Sequence, residues 1–109
     1  MIIEKTYCVY ITCNRPNGAI YIGFTGDIER RAFQHKDRSI AGFTKKYWVG
    51  ILVYYEFFGD PSLGIQREKQ MKKWRRSWKI ALIEKHNPEW KELYMEGVLL
   101  PMPLKEDSR

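Results

Sequence analysis

The sequence is short of several things, and each shortage narrows the reading. It has only two cysteines in 109 residues, Cys8 and Cys13. They fall in one strand-like run an odd number of residues apart, so their side chains point to opposite faces and cannot bridge each other. That spacing matches no zinc-binding pattern, and reduced thiols fit a cytoplasmic protein. No apolar run approaches the roughly 18 residues of a membrane span, and the N-terminus has no basic region leading into an apolar core. A soluble intracellular protein without a membrane partner is the expectation. Internal repeats and low-complexity tracts are missing too. With 44% hydrophobic residues the chain can build one modest core but not two. A single domain over residues 1–97 is expected, followed by a loosely ordered tail over 98–109 that carries two prolines and mixed charge. No zinc finger or helix-hairpin-helix is recognisable. The chain reads as a monomer, and any specificity beyond that of its one domain would have to come from a partner protein.

What is present is basic charge, unevenly placed. The net charge is +6, which favours an anionic partner. From Pro61 to His86 there are eight Lys or Arg against two Glu, while the rest of the chain balances 11 basic against 11 acidic residues. The excess therefore sits in one stretch, where Lys69, Lys72, Lys73, Arg75, Arg76 and Lys79 are interleaved with Trp74 and Trp78. These side chains are candidates for phosphate contact, with the tryptophans mostly in the core.

Residues 6–14 and 19–25 are rich in Tyr, Val, Ile and Thr and flank the turn-forming Arg15-Pro16-Asn17-Gly18, the pattern of a β-hairpin. Loop length decides the faces. A four-residue loop pairs Asn14 with Ala19, sets Tyr10 opposite Gly23 and Thr12 opposite Tyr21, and puts both phenols on one face. A three-residue loop would separate them. The four-residue loop, or an equivalent bulge, is the reading adopted.

Asp27 can cap a helix running to about Lys36. Ile28, Arg31, Ala32 and His35 share one helical face, and two of the four are polar, which is costly in a core unless they serve a site. Residues 37–50 read as a loop with a helical turn near 43–48, from which Lys45 and Lys46 could reach phosphate. ILVYYEFF at 51–58 has the apolar continuity of a central buried strand. Asp60 or Ser62 caps the next helix, with Pro61 in its first turn. Leu63, Arg67, Met71 and Trp74 form its stripe, and Glu68 lies about 60° from Met71, at the margin of the packed face. After a bend at Arg75–Ser77, Trp78, Ala81, Leu82 and Lys85 suggest a further helix to His86. Asn87-Pro88 reads as a cap opening a short helical segment.

Cys8-Val9-Tyr10, then Tyr21-Ile22-Gly23, Arg31, His35 and Arg67-Glu68-Lys69-Gln70, in this order and spacing, resemble the GIY-YIG nuclease domain over roughly residues 6–85. The likeness is to its small stand-alone bacterial members. It implies an α+β fold, a three-stranded antiparallel sheet flanked by helices, and divalent-metal-dependent cleavage of DNA. Tyr10 matches the tyrosine of the first motif and Tyr21 that of the second. Arg31 matches the family arginine, His35 a histidine found in some members, and Glu68 the metal-binding glutamate. Cys8 stands where the motif names glycine, and Asn87 matches a late asparagine only by position, its capping role being the simpler one.

Such chemistry needs an activated water and stabilisation of charge on the phosphate and leaving oxygen. A divalent ion on Glu68, Mg2+ with Mn2+ able to substitute, would act as Lewis acid. Arg31 offers a planar fork to phosphate. Tyr10 is the expected general base, assisted by His35 or Arg31, with Tyr21 in that role or positioning the water. The substrate class is DNA, with branched, damaged or single-stranded forms and a role in repair or recombination in view, and RNA left open. The alternative is a non-catalytic nucleic-acid-binding module on the same scaffold.

Overall fold

The computed structural model describes residues 5–37 and 48–103. Strand β1 (Tyr7–Cys13) and β2 (Ile20–Thr25) are joined by the Arg15–Gly18 turn. Helix α1 (Ile28–Lys36), strand β3 (Ile51–Phe58), helices α2 (Pro61–Lys73) and α3 (Arg76–His86), and a two-stranded ribbon of β4 (Tyr94–Met95) and β5 (Val98–Leu99) follow. The fold class is α+β. The main sheet is antiparallel throughout in the order β2-β1-β3.

The hairpin adopts the four-residue register. Asn14 N–H donates to the Ala19 carbonyl (3.2 Å), and Tyr10 pairs with Gly23 and Thr12 with Tyr21. Within the turn Asn17 takes φ of 59°, a left-handed conformation that asparagine tolerates better than most residues. The period of two then sorts β1 onto two cores. Val9, Ile11 and Cys13 face α2 and α3 with Ile22, Met71 and Ile83, while Cys8 and Tyr10 face α1 with Ile28, Ala32 and Leu52. The two cysteines thus lie in opposite clusters, and burial pushes both thiols up to about 12, leaving them unreactive thiols at neutral pH.

Both helices that carry candidate catalytic residues are fixed at their starts. The Asp27 carboxylate accepts from Arg30 N–H (3.1 Å), and the Asp60 carboxylate accepts from Ser62 N–H (2.9 Å). Each satisfies an orphan donor of a first turn. Helix α2 sits close on the sheet because Gly64 is there: a Cβ at this position would strike the Phe24 ring. That seating turns Gly64 and Met71 inward and leaves Leu63 exposed, so the packed line is rotated from the Leu63-based stripe.

Three further expectations are corrected. Strand β3 is an edge strand, not the central one. It reads as buried because residues 87–100 cover its free edge: Leu52 N–H donates to Glu92 (2.8 Å), Leu93 N–H to the Leu52 carbonyl (2.8 Å) and Tyr55 hydroxyl to the Leu100 carbonyl (2.6 Å), which spares the sheet an open edge. The register against β1 slips between Ile11 and Thr12, leaving Val53 as the extra residue. Its carbonyl is met by the fully buried Asn87 amide at 3.0 Å. Asn87 ends α3 and opens no helix, since it also binds Lys91 N–H and carbonyl in a turn. The segment after Gly97, expected to be a loose tail, continues as β5, with Leu100 N–H bound to the Leu93 carbonyl (2.7 Å); residues 104–109 lie outside the described residues. Among the described residues no helix is long and apolar enough to cross a membrane.

Candidate active site

The site is assembled from the α1 face of the hairpin outward. Tyr10 is fully buried, and its ring lies across Gly23 so closely that any Cβ there would overlap its Cζ and hydroxyl. The glycine opposite the tyrosine is thus a steric requirement of the ring, one that the register alone could have signalled. The Tyr10 hydroxyl meets His35 Nε2 at 2.9 Å, and the half-buried Tyr21 ring lies 6.2 Å from Tyr10 and 5.3 Å from His35, centroid to centroid. Three aromatic rings from two strands and a helix therefore share one face, as the four-residue turn requires.

Electrostatics separates these groups. Burial, with a smaller contribution from the Arg31 cation, pushes His35 down to about 4, so it is neutral at physiological pH and can accept a hydrogen bond at one nitrogen. Its Nδ1 is buried without a protein partner among the described residues. Burial raises the Tyr10 phenol far above the usual range, with Tyr21 adding to the rise and Arg31 opposing it. Arg31, half-buried on α1, is thus close enough to act on both groups. It also lines a cleft of about 560 Å³ with Lys5, Thr25, Asp27, Arg30 and Gln34. Lys5 and Arg30 were not anticipated there; the doubled Arg30-Arg31 was the only hint.

Glu68 reaches the same region from α2. Its side chain is 16% exposed and pairs with Lys72 at 2.9 Å, one helical turn on, while the Lys72 ammonium lies 5.9 Å from the Tyr21 ring centre. Lys72 therefore joins the carboxylate to the outer tyrosine. Neighbouring Arg67 turns away, binding Glu56 through two nitrogens (3.0 and 2.8 Å) and lying over Trp74.

The chain matches the GIY-YIG catalytic domain over residues 6–81. It belongs to the GIY-YIG family. Among curated relatives it is similar to UPF0213 proteins from Staphylococcus saprophyticus (33% identical, covering 74% of this chain and 96% of the relative) and Syntrophus aciditrophicus (34%, 80% and 98%). A UPF0213 protein of Haloquadratum walsbyi is 31% identical over 72% of this chain and 85% of its own. No solved structure matches. GIY-YIG is a nuclease family, and nucleic acid is accordingly the substrate class of the fold.

The GIY-YIG positions Tyr10, Tyr21, Arg31 and His35 come together directly, and Glu68 joins them through Lys72. Of the basic candidates, Lys69, Lys73 and Arg75 are exposed. Arg76 is committed to the Asn17 and Gly18 carbonyls (both 2.7 Å), tying α3 to the hairpin turn, and Lys79 donates to the Lys72 carbonyl (3.4 Å). Lys45 and Lys46 lie outside the described residues. Trp78 is 54% exposed and Trp74 half-buried, so the tryptophans are not mostly core: the extended backbone at Trp74 and Arg75 breaks the helix and turns Trp78 outward. Among the described residues no group of three His, Cys, Asp or Glu could hold a metal. A lone, partly shielded carboxylate suits an ion that keeps most of its waters and takes oxygens from a substrate, the habit of Mg2+.

Proposed function

We propose that this GIY-YIG protein is a divalent-metal-dependent endonuclease that hydrolyses DNA phosphodiester bonds. The observation that carries the reading is the convergence of Tyr21 from β2 and Glu68 from α2 on one lysine, beside an arginine-lined cleft. Glu68 would hold Mg2+ or Mn2+, which when bound supplies Lewis-acid stabilisation of the phosphate and leaving oxygen. Arg31 grips the phosphate with paired donors. Lys72 neutralises Glu68 in the free protein and moves to a phosphate oxygen when DNA arrives, which frees the carboxylate. Of the two phenols, Tyr21 is the half-buried one, with the Lys72 ammonium beside its ring. It orients the attacking water and takes its proton. Tyr10, buried and with its phenol raised, acts as a positioning residue that fixes the hairpin face through His35. That moves the base role from Tyr10 to Tyr21. Structure-selective cleavage in repair or recombination is the setting such an activity would serve.

The test is nicking of supercoiled plasmid and of labelled duplex, branched and single-stranded DNA in Mg2+ or Mn2+ by wild type and Glu68→Gln. We expect wild type to cleave at least one substrate and the variant to lose at least roughly a thousandfold in rate, about 4 kcal/mol of transition-state stabilisation. Cleavage that persists in the variant and in chelator would contradict the mechanism. A second reading, a binding module without catalysis, draws on the same Lys72–Glu68 pair, which already satisfies the carboxylate. DNA binding without cleavage in either metal would favour it.

A further inference from the structure

We propose that the joint between α2 and α3 is a stacking platform for unpaired bases of a DNA strand, formed by Trp78 and Arg75 and backed by Trp74 and Arg67. The inference names the form of DNA engaged and rests on the nuclease reading only for the choice of DNA as the anion.

The geometry is specific to this joint. Trp78 is 54% exposed although a tryptophan is mostly covered in folded proteins. The Arg75 guanidinium lies 5.2 Å from the Trp78 ring centre, the two tryptophan rings meet edge to face at 6.2 Å, and Arg67 lies 5.2 Å from Trp74. Arg67 is itself locked by Glu56. Trp78 is therefore an exposed ring standing on a rigid stack, with little orientation left to lose when a base packs on it. Its surroundings distinguish the occupant. No acidic residue occurs between Lys69 and Ile83, and Lys69, Lys73 and Arg75 make no ion pair among the described residues. Arg75 does not use its side chain to cap α3. An exposed aromatic paired with a guanidinium, in a stretch of uncompensated cations, is the combination that holds single strands, backbone on the cations and base on the ring, because every base has a π-face. A duplex keeps its bases stacked on each other and offers this ring only phosphate.

The test is binding in chelator, where cleavage plays no part, read by anisotropy of labelled strands. The probes are oligothymidylate, an abasic deoxyribose-phosphate strand of equal length and charge, and a blunt duplex. Wild type should bind oligothymidylate roughly tenfold or more tighter than the abasic strand. Trp78→Ala should erase that difference while leaving abasic and duplex binding within about twofold, and Trp78→Phe should retain most of it. Melting temperatures of both variants should match wild type. No preference of wild type for oligothymidylate over the abasic strand, or an equal loss on all three probes in Trp78→Ala, would overturn the platform. A protein that shows the preference yet never cleaves would keep the platform and remove the nuclease reading; a nuclease without the preference would do the reverse.

Discussion

The inner and outer halves of the site use similar residues for opposite ends. Tyr10 and His35 are buried and hydrogen-bonded to each other, and the Tyr10 ring is pressed against Gly23. Tyr21, Arg31, Glu68 and Lys72 stand half-buried or exposed and carry the charge. Both halves hold a tyrosine from one hairpin face, yet burial removes the inner phenol from acid–base work while the outer ring stands only half-buried. The lesson is that a residue's chemistry is set by its solvation as much as by its place in a motif. Inner changes should therefore cost stability, and outer changes should cost activity alone.

The largest contrast is Glu68→Gln, whose loss of cleavage should come with a melting temperature within about 2 °C of wild type, since the pair it breaks is a partly solvated i,i+4 contact.

The inner half should announce itself in acid. An unfolded histidine binds its proton near 6.5, whereas folded His35 resists until about 4. Between those values the unfolded state binds more protons, so stability falls as pH drops below 6.5 and levels off below 4. The shift corresponds to about 3 kcal/mol. The groups facing the ring are Tyr10, Tyr21 and Arg31, and none is a carboxylate that would offset the penalty. Urea denaturation from pH 7.5 to 4 should trace this loss in wild type, and His35→Gln should flatten that part of it.

A smaller inner effect is expected from Gly23→Ala. Its methyl would overlap the Tyr10 ring, and relieving that overlap in a packed core costs about 2 kcal/mol. Calorimetry should find a drop of about 8 °C. An unchanged melting temperature would mean that the ring can move, and the two halves would then not differ in rigidity.

The parts of this arrangement legible in the sequence are those decided locally. The length of the Arg15–Gly18 turn sets the hairpin register and with it the shared face of Tyr10 and Tyr21; Asp27 and Asp60 mark two helix starts; the i, i+3, i+4 spacing of α1 turns His35 inward. What was misread depended on distant segments. The apolar run of β3 suggested a central strand because nothing local reveals that Asn87, Glu92 and Leu100 would cover its edge. Trp78 reads as mostly core in the sequence, although its direction depends on a two-residue break between helices. The Lys72–Glu68 spacing was visible as an i,i+4 pair, but not that the same lysine would reach Tyr21 on another element.

The most direct measurement is the single-turnover cleavage rate in Mg2+ for wild type, Tyr21→Phe and Tyr10→Phe, each with its melting temperature. Tyr21→Phe should lose roughly a hundredfold in rate at unchanged stability. Tyr10→Phe, which leaves His35 without its buried partner, should lose about 1–3 kcal/mol of stability and less rate than Tyr21→Phe. A Tyr21→Phe protein that cleaves like wild type, or a Tyr10→Phe protein that is fully stable yet inactive, would contradict the division between a holding half and a reacting half.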